Sequence, residues 1–284
     1  MANQKGQRGA ELGPIRTKTD ITVDVATRPA LRVWAGRDKT ADKKGILGVP
    51  GFASITRTLE ENVKLDDPYA DFHYILIEEA IAKLRSELDQ ELEAVTSFLN
   101  EMVPPAMTLP DIGSNEPCVL PIRFASRHGF AMLYELLKMD KVVMKTLLAN
   151  HIGLLNSEEK FKTLNRLEAK MRTALYTAYA YRVTGVTRDD MAANNQKAQR
   201  AIGMMGELKT EFLEGTTRSP NAPQLPKSRL ATLVSPAKLN VDNEPSAEAD
   251  QNGESSEYSK LSSELQEVVA SSKKAPAKKK PQTA

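Results

Sequence analysis

The first hydrophobic pattern in the chain is an alternation of apolar and polar positions. It runs over residues 21–25 and resumes, after Pro29, over residues 31–34. A period of two with β-branched residues is typical of a β-strand. Because proline cannot donate a hydrogen bond to a neighbouring strand, Pro29 indicates an edge, a bulge or a break between two short strands. We therefore expect strand structure from Asp20 to Trp34.

Farther along the chain, apolar positions recur at three- and four-residue steps, which is typical of amphipathic helices. Phe52, Ile55 and Leu59 predict a short helix. The residues Asp66-Asp67-Pro68 supply capping oxygens and an early proline, so a long helix is expected from there to Pro104. A second short strand is expected at Val119–Phe124. Three further helices are expected: Arg127–Ala149, with a break near Met139-Asp140; Ser157 to about Val183; and Thr187 to about Leu213. At the start of the last helix, Thr187 and Asp190 resemble a capping box.

These elements predict a mainly α fold with short β-strands (α+β) and a helical core, flanked by two ends of different composition. Residues 1–19 are polar, basic and without a hydrophobic period. After Gly215 the chain is rich in Pro, Ser, Asn and Ala, with Tyr258 as its only aromatic residue, so it cannot bury enough surface to offset the entropy of ordering. We expect a flexible basic arm at 1–19, a folded helical domain with short strands at 20–215 and a disordered tail at 216–284. That tail has an acidic part at 242–267 and a Lys-Ala-Pro run at 272–281.

Composition narrows the functional classes. The formal charge is +2, from 39 basic and 37 acidic residues, so an electrostatic partner must be inferred from local charge. No apolar stretch approaches the roughly 20 residues needed to span a bilayer, and the N-terminus lacks a secretory signal. Cys118 is the only cysteine, which fits a reducing compartment. We expect a cytoplasmic protein without a membrane partner.

Motifs for catalysis are absent from the sequence. His73, His128 and His151 are far apart and none has the spacing of a zinc site. Adjacent carboxylates point in different directions on a helix and cannot face one substrate atom together. The glycines of Gly45–Gly51 lack the Gly-Lys-Ser/Thr of a phosphate loop. We therefore predict no catalytic residue, no metal site, no cofactor and no small-molecule ligand, and a binding protein instead of an enzyme.

Basic residues are concentrated near the N-terminus. Ten basic residues face five acidic ones between Lys5 and Lys44. A strand that carries arginines between a basic arm and a basic loop can address phosphates and base edges, although the same residues also suit a solvated edge strand. The candidate DNA contacts here are Arg16, Lys18, Arg28, Arg32, Arg37 and Lys39.

The Lys-Ala-Pro run resembles the tails of linker histones in composition. Such a run can bind DNA nonspecifically through counterion release, while simple solubility is the alternative role, and the acidic neighbours in the tail can compete for it within the chain. The residues concerned are Lys273, Lys274, Lys278, Lys279 and Lys280.

Several short sequence segments, by their order and spacing, resemble a protein family encoded on bacterial integrating conjugative elements. They are Arg32–Arg37, Gly45–Pro50, Asp66–Asp71, His151–Leu155 and Tyr181–Arg188. That family is similar to the AcaB transcriptional activators of conjugative plasmids, and the resemblance covers about residues 16 to 214. It implies a dimeric protein that binds double-stranded DNA through a ribbon-helix-helix element and acts on genes for conjugative transfer.

In a ribbon-helix-helix fold, one strand from each subunit enters the major groove as an antiparallel ribbon. Two segments of this chain are alternatives for the strand. The first is Asp20–Trp34, followed by the helices near Phe52 and Pro68. The second is Val119–Phe124, followed by the two parts of Arg127–Ala149, with Arg123 and Arg127 as its basic readers.

Two functions follow from these patterns. The first is a DNA-binding transcriptional regulator or accessory protein of a conjugative element. The alternative is a non-catalytic helical assembly or scaffold protein of the same element, which binds protein partners. A homodimer is expected for the regulator, because a shared ribbon needs two chains and because the apolar stripe from Ile77 to Met102 is long for a small core.

Overall fold

Two short strands pair antiparallel within one chain. The structure is a computed structural model that describes residues 21–41, 44–110, 113–114 and 116–225. Strand β1 (Ile21–Val25) pairs with β2 (Cys118–Ile122) in a register that sets Ile21 opposite Ile122 and Val25 opposite Cys118. Since side chains alternate across a strand, Val25 and Ile122 lie in the core. The outer face is left to Thr22, Asp24, Val119 and Pro121.

The strand predicted for residues 28–34 is wrong, because these residues form helix α1 (Arg28–Ala35). The Thr27 side chain caps the helix by accepting a hydrogen bond from the Ala30 N–H. Pro29 lies in the first turn, where its missing N–H costs nothing. Pro29, Ala30 and Val33 are buried together, which is helical spacing. Arg28 and Arg32 therefore lie on a helix and not on a ribbon strand.

Helix α3 begins at the predicted signal, and a helix, α2, is present where Phe52, Ile55 and Leu59 predicted a short one. Helix α2 covers Val49–Lys64, and α3 covers Pro68–Met102. The Asp67 carboxylate caps α3 by accepting hydrogen bonds from the N–H groups of Tyr69 and Ala70, at 2.9 and 3.2 Å. The proline that follows the cap occupies the first helical turn, as expected.

Helix α4 (Arg127–His151) is unbroken, so the break predicted near Met139-Asp140 is wrong. Asp140 is buried, yet its charge is satisfied. It accepts hydrogen bonds from the Ala26 N–H (2.8 Å) and from the Thr27 hydroxyl (2.5 Å). A carboxylate on the buried face of a helix is thus the point where β1 and α1 are attached to α4.

Helix α5 covers Ser157–Tyr179, and the single helix predicted after it is wrong. Three short helices are present: α6 (Arg188–Ala192), α7 (Gln196–Met205) and α8 (Thr210–Leu213). Asn194 (φ +49°) and Gly206 (φ +84°) interrupt them in left-handed backbone conformations that a continuous helix does not contain. The predicted capping box of Thr187 and Asp190 is confirmed.

One hydrophobic core is shared by the four longer helices, α2 to α5, and α1 packs over α2, α4 and α5. The side chains that fill it come from each of these helices at three- and four-residue spacing. The largest buried ones are Phe52, Leu59, Tyr74, Ile77, Leu88, Met132, Leu136, Met139, Leu167, Met171 and Leu175.

Residues 216–225, which composition assigned to the tail, instead pack on the helices, and we call them the C-terminal strap. Leu225 and Ser219 are buried. The Ser219 hydroxyl donates a hydrogen bond of 2.5 Å to Glu78 on α3. The Arg218 guanidinium donates to Asp71 (3.0 Å). The packed chain therefore continues ten residues beyond Gly215; residues 1–20 and 226–284, with the basic arm and the rest of the tail, lie outside the described residues.

Candidate nucleic-acid interface

An open groove lies between the end of α1, one face of α2 and the end of β2. Two arginines line it: Arg57 on α2, and Arg123 just after β2. We call it the basic groove. Its full lining is Trp34, Pro50, Ala53, Ser54, Arg57, Pro121, Arg123 and Phe124.

The α2 side of the groove follows from helical spacing. Pro50, Ser54 and Arg57 are four and three residues apart, so they share one face of α2. Phe52 and Leu59 are fully buried on its other side. The core therefore fixes the rotation of α2 and with it the direction in which Arg57 is presented.

Aromatic rings line the same groove as the two arginines. The Trp34 and Phe124 rings are tilted with centroids 6.2 Å apart, and Phe124 packs in turn on Phe130 (5.3 Å). Guanidinium groups bind phosphates and carboxylates, and they also stack on aromatic faces. A groove lined by two arginines and by aromatic rings therefore suits an anionic ligand.

Both arginines of the groove are available to a ligand. Arg57 pairs with Glu61 at 3.4 Å, but the two side chains are 64% and 59% exposed, so this pair contributes little and can be exchanged. Arg123 is exposed and makes no ion pair within the part of the chain that the structure describes. The free energy cost of redirecting either guanidinium to a phosphate is therefore small.

A basic loop borders the groove, since Trp34 precedes it and Pro50 follows it. Its ends are joined by reciprocal backbone hydrogen bonds between Arg37 and Ile46, at 2.8 and 2.7 Å. Gly36 has φ +66°, and a Cβ atom there would collide with the Ile46 carbonyl oxygen. The loop thus turns back tightly on the end of α1. Its exposed cations are Arg37, Lys39 and Lys44.

The predicted DNA contacts fall into four groups. Arg37, Lys39 and Arg123 lie at the groove or on the loop beside it. Arg28 is exposed at the first turn of α1 and has no ion pair among the described residues. Arg16, Lys18 and the lysines of the Lys-Ala-Pro run lie outside the described residues.

Arg32 and Arg127 form the fourth group and are bound by the protein itself. Arg32 forms an ion pair with Glu168 on α5, a carboxylate that also accepts a 2.6 Å hydrogen bond from Arg172. Arg127 donates a 2.7 Å hydrogen bond to the Asn221 side-chain oxygen on the C-terminal strap. These contacts give both arginines a role in joining elements of the fold.

Beneath the groove, a buried polar layer attaches α2 to the start of α4. The Thr56 and Ser126 hydroxyls are 2.7 Å apart, and Ser126 also donates to Glu60 (3.2 Å). His128 is buried between Glu60 (Nδ1 to Oε1 3.5 Å) and Glu78 (Nε2 to Oε1 3.8 Å). Ser126 is fully buried, so this serine, histidine and glutamate set cannot meet a substrate.

Tyr74 extends this layer to the C-terminal strap. Its hydroxyl donates a 2.9 Å hydrogen bond to the Asn221 carbonyl oxygen. Burial, with Glu78 nearby, raises the pKa of Tyr74 to about 12. The phenol therefore keeps the proton that this hydrogen bond requires even near pH 10, where a free tyrosine begins to lose it.

Sequence reasoning missed Arg57 and the part played by Trp34. The signal for Arg57 was present, because Pro50, Ser54 and Arg57 recur at helical spacing on the face opposite Phe52 and Leu59. Trp34 was placed on a strand, which concealed its position at the end of a helix. The meeting of α2 with the end of β2 has no local signal, since about 70 residues separate Ser54 from Arg123.

Within the described residues, no group of three or more His, Cys, Asp or Glu side chains could hold a metal ion. Over the same part of the chain, no helix has the length and apolar character that crossing a membrane requires. Cys118 is an exposed free thiol on β2.

Comparison with known proteins gives one family. A family model described as transcriptional regulator AcaB matches residues 11–226, which is more than half of the chain. Among solved structures, the crystal structure of selenomethionine-containing AcaB from uropathogenic E. coli is similar at 13% sequence identity and a TM-score of 0.47, and the match covers 70% of this chain and 98% of that chain. No curated protein matches this chain.

Proposed function

This chain belongs to the AcaB family of transcriptional regulators, and from that premise we propose that it acts by binding double-stranded DNA through the basic groove and the loop beside it. The observation that supports this proposal is that Arg57 and Arg123 line one groove together with aromatic rings, with Arg37, Lys39 and Lys44 on the adjoining loop. Cations arranged in this way can follow a phosphate backbone.

The proposed contacts divide by type. The exposed loop cations and Arg57 contact phosphates, which fixes the register of the protein on the duplex. Arg123 is the candidate base reader, because it follows β2 directly and an arginine can bind the O6 and N7 atoms of guanine together. Arg28, on the first turn of α1, adds a further phosphate contact.

The β1–β2 sheet offers a ribbon of a modified kind. Its order of β1, α1 and α2 is that of a ribbon-helix-helix element, but β1 pairs with β2 of the same chain. One chain thus supplies both strands, so the ribbon no longer requires a dimer, and the homodimer stays a prediction. The outer face carries no basic residue on the strands themselves, which leaves base reading to Arg123 at the end of the ribbon.

The biological setting is also proposed. The sequence segments that resemble proteins of integrating conjugative elements support a role in regulating genes for conjugative transfer. A role as an assembly protein of the same element is the alternative, and it predicts protein partners with no DNA affinity. Recovery of DNA fragments from the host genome by the purified full-length chain separates the two.

The direct test is a titration of a recovered fragment with the full chain and its variants. Replacing Arg57 and Arg123 together by Gln should weaken binding at least tenfold at 0.1 M salt. The slope of log K against log[salt] should fall by roughly 0.9, since only Arg57 is assigned to a phosphate and each phosphate contact contributes about 0.9. Arg166→Gln is the matched control, because Arg166 is also exposed but lies on α5 outside the groove. If the intact chain binds no DNA at low salt, the proposal is lost.

A further inference from the structure

Residues 242–267 contain eight carboxylates and one lysine. The C-terminal strap, from which the chain continues toward them, contacts Arg127 at the start of α4, four residues after Arg123 of the basic groove. We propose that this acidic segment of the same chain docks in the basic groove and regulates it by competing with the anionic ligand. The proposal rests on the proposed function only for the identity of that ligand as DNA. The docking itself is a property of this chain alone.

The tether is long enough to reach the groove. The side chain of Arg127 contacts Asn221 on the C-terminal strap, and Arg123 comes four residues before Arg127, so their Cα atoms lie within about 15 Å. Leu225 follows Asn221 by four residues, which adds about 15 Å at most. From Leu225 to Asp242 the chain has 17 residues and can span roughly 56 Å when extended.

The charges are complementary. Around the groove, Arg57, Arg123 and the loop cations are exposed, and Glu60 is directed inward to Ser126 and His128. Glu61 pairs with Arg57, but this exposed pair can be exchanged for a carboxylate of the acidic segment. The acidic segment has a net charge of −7, from eight carboxylates less one lysine. Carboxylates bind guanidinium groups with the same two-pronged geometry as phosphate. A tether of this kind gives an effective concentration in the millimolar range, so weak contacts are enough to hold the segment.

The segment also matches the aromatic lining of the groove. Tyr258, Leu261 and Leu265 recur at three- and four-residue spacing among the carboxylates. If the segment docks as a helix, these residues share one side, which Trp34 and Phe124 can accept. The Lys-Ala-Pro run, which follows the acidic segment in the sequence, is the alternative cationic partner for its carboxylates. That run contains no aromatic residue or leucine that could pack on Tyr258, Leu261 and Leu265.

Trp34 is the only tryptophan in the chain, so its fluorescence reports on the groove without a label. The experiment measures quenching of Trp34 by acrylamide in the full-length chain. Replacing the eight carboxylates by their amides should raise the quenching constant at least twofold. The pair Arg57→Gln with Arg123→Gln should produce the same rise without altering the tail. Replacing the five lysines at 273–280 by Gln is the matched control and should produce no rise.

Unchanged quenching in the amide variant would overturn the docking. So would a rise in the lysine variant alone, or quenching that increases on dilution of the wild type, which would assign the occupant to a neighbouring chain. A DNA titration then tests the competition separately, because the amide variant should bind DNA about tenfold more tightly than the wild type at 0.1 M salt. Absence of DNA binding in every variant would remove the proposed function and leave the quenching result standing.

Discussion

The Arg188 guanidinium donates a hydrogen bond of 2.6 Å to the Asp71 carboxylate, although 117 positions separate the two residues in the sequence. The same guanidinium also pairs with Asp66 and donates to the Phe212 carbonyl oxygen at 3.0 Å. Arg188 and the two aspartates are all buried. The cluster thereby joins the start of α3 to the helices α6 and α8.

Replacing Arg188 by Met should therefore lower the free energy of unfolding by about 3–5 kcal/mol, because it leaves the buried Asp66 without its ion-pair partner and Asp71 with Arg218 alone. Arg188→Lys is the informative comparison, since lysine keeps the charge but cannot serve Asp66, Asp71 and the Phe212 carbonyl with one planar group. Urea denaturation of both variants measures the loss. A loss below about 1 kcal/mol for the methionine variant would show that the cluster does not hold these elements together.

Asp67, the cap of α3, should make stability depend on pH. Burial raises the pKa of its carboxyl from 3.8 to about 6, with hydrogen bonds from Thr184 and the helix N–H groups opposing the rise. The folded state therefore holds the proton more tightly than the unfolded state, and stability from this group is lost as pH rises from about 4 to 6. Asp67→Asn keeps a good cap, so its stability relative to wild type should increase by roughly 2–3 kcal/mol between pH 4 and 6.

His73, on the next turn of α3, opposes this effect. Burial lowers its pKa from 6.5 to about 4, so the unfolded state binds the proton more tightly and stability is lost as pH falls from about 6.5 to 4. The two slopes nearly cancel in the wild type. His73→Gln should accordingly gain stability relative to wild type as pH falls, the reverse of Asp67→Asn. Urea midpoints across this range check both, and parallel pH profiles for the two variants would contradict the assignment.

Asp140 should couple the sheet to the helical core. Asp140→Ala leaves the Ala26 N–H and the Thr27 hydroxyl without their buried acceptor, so a loss of about 2–3 kcal/mol is expected. Asp140→Asn keeps an acceptor and should lose less. Thermal unfolding measures both, and equal losses would argue against the hydrogen bonds as the cause.

Local signals account for what the sequence predicted correctly. The apolar period and the caps at Asp67 and Thr187 identified helices because each involves residues within one turn. Helix α1 was missed because four alternating residues after Pro29 satisfy a strand pattern, and the spacing of Ala30 and Val33 is equally helical. Pro29 itself is compatible with both structures, so only packing against α4 and α5 decides between them.

Long-range partners account for the rest. The segments Asp66–Asp71 and Tyr181–Arg188 carry part of the family resemblance, but nothing in either sequence indicates that the two segments meet in a buried ion cluster. Likewise, the charge of Arg32 suggested a DNA contact, whereas Glu168, its partner, is 136 residues away. At the groove, composition pointed to the loop residues Arg37 and Lys39, while Arg57 needed the rotation of α2, which the core sets.

The difference between Arg28 and Arg32 gives the sharpest prediction about the proposed interface. Arg32 is 61% exposed but pairs with Glu168, which is only 5% exposed. Arg28 is exposed without such a pair among the described residues. Arg32→Ala should therefore lower the free energy of unfolding by about 1–2 kcal/mol, since a buried carboxylate then depends on Arg172 alone. Arg28→Ala should leave the free energy of unfolding unchanged.

DNA affinity should respond in the opposite order. Arg28→Ala removes a phosphate contact in the proposed interface, so it should lower the salt slope by roughly 0.9. Arg32→Ala should leave the slope unchanged under conditions where the variant is folded, because its guanidinium is held by α5. Urea denaturation and a salt series of DNA titrations on the same two preparations measure both quantities. A lower salt slope for Arg32→Ala with unchanged stability would show that Arg32 contacts DNA and that the Glu168 pair does not hold it.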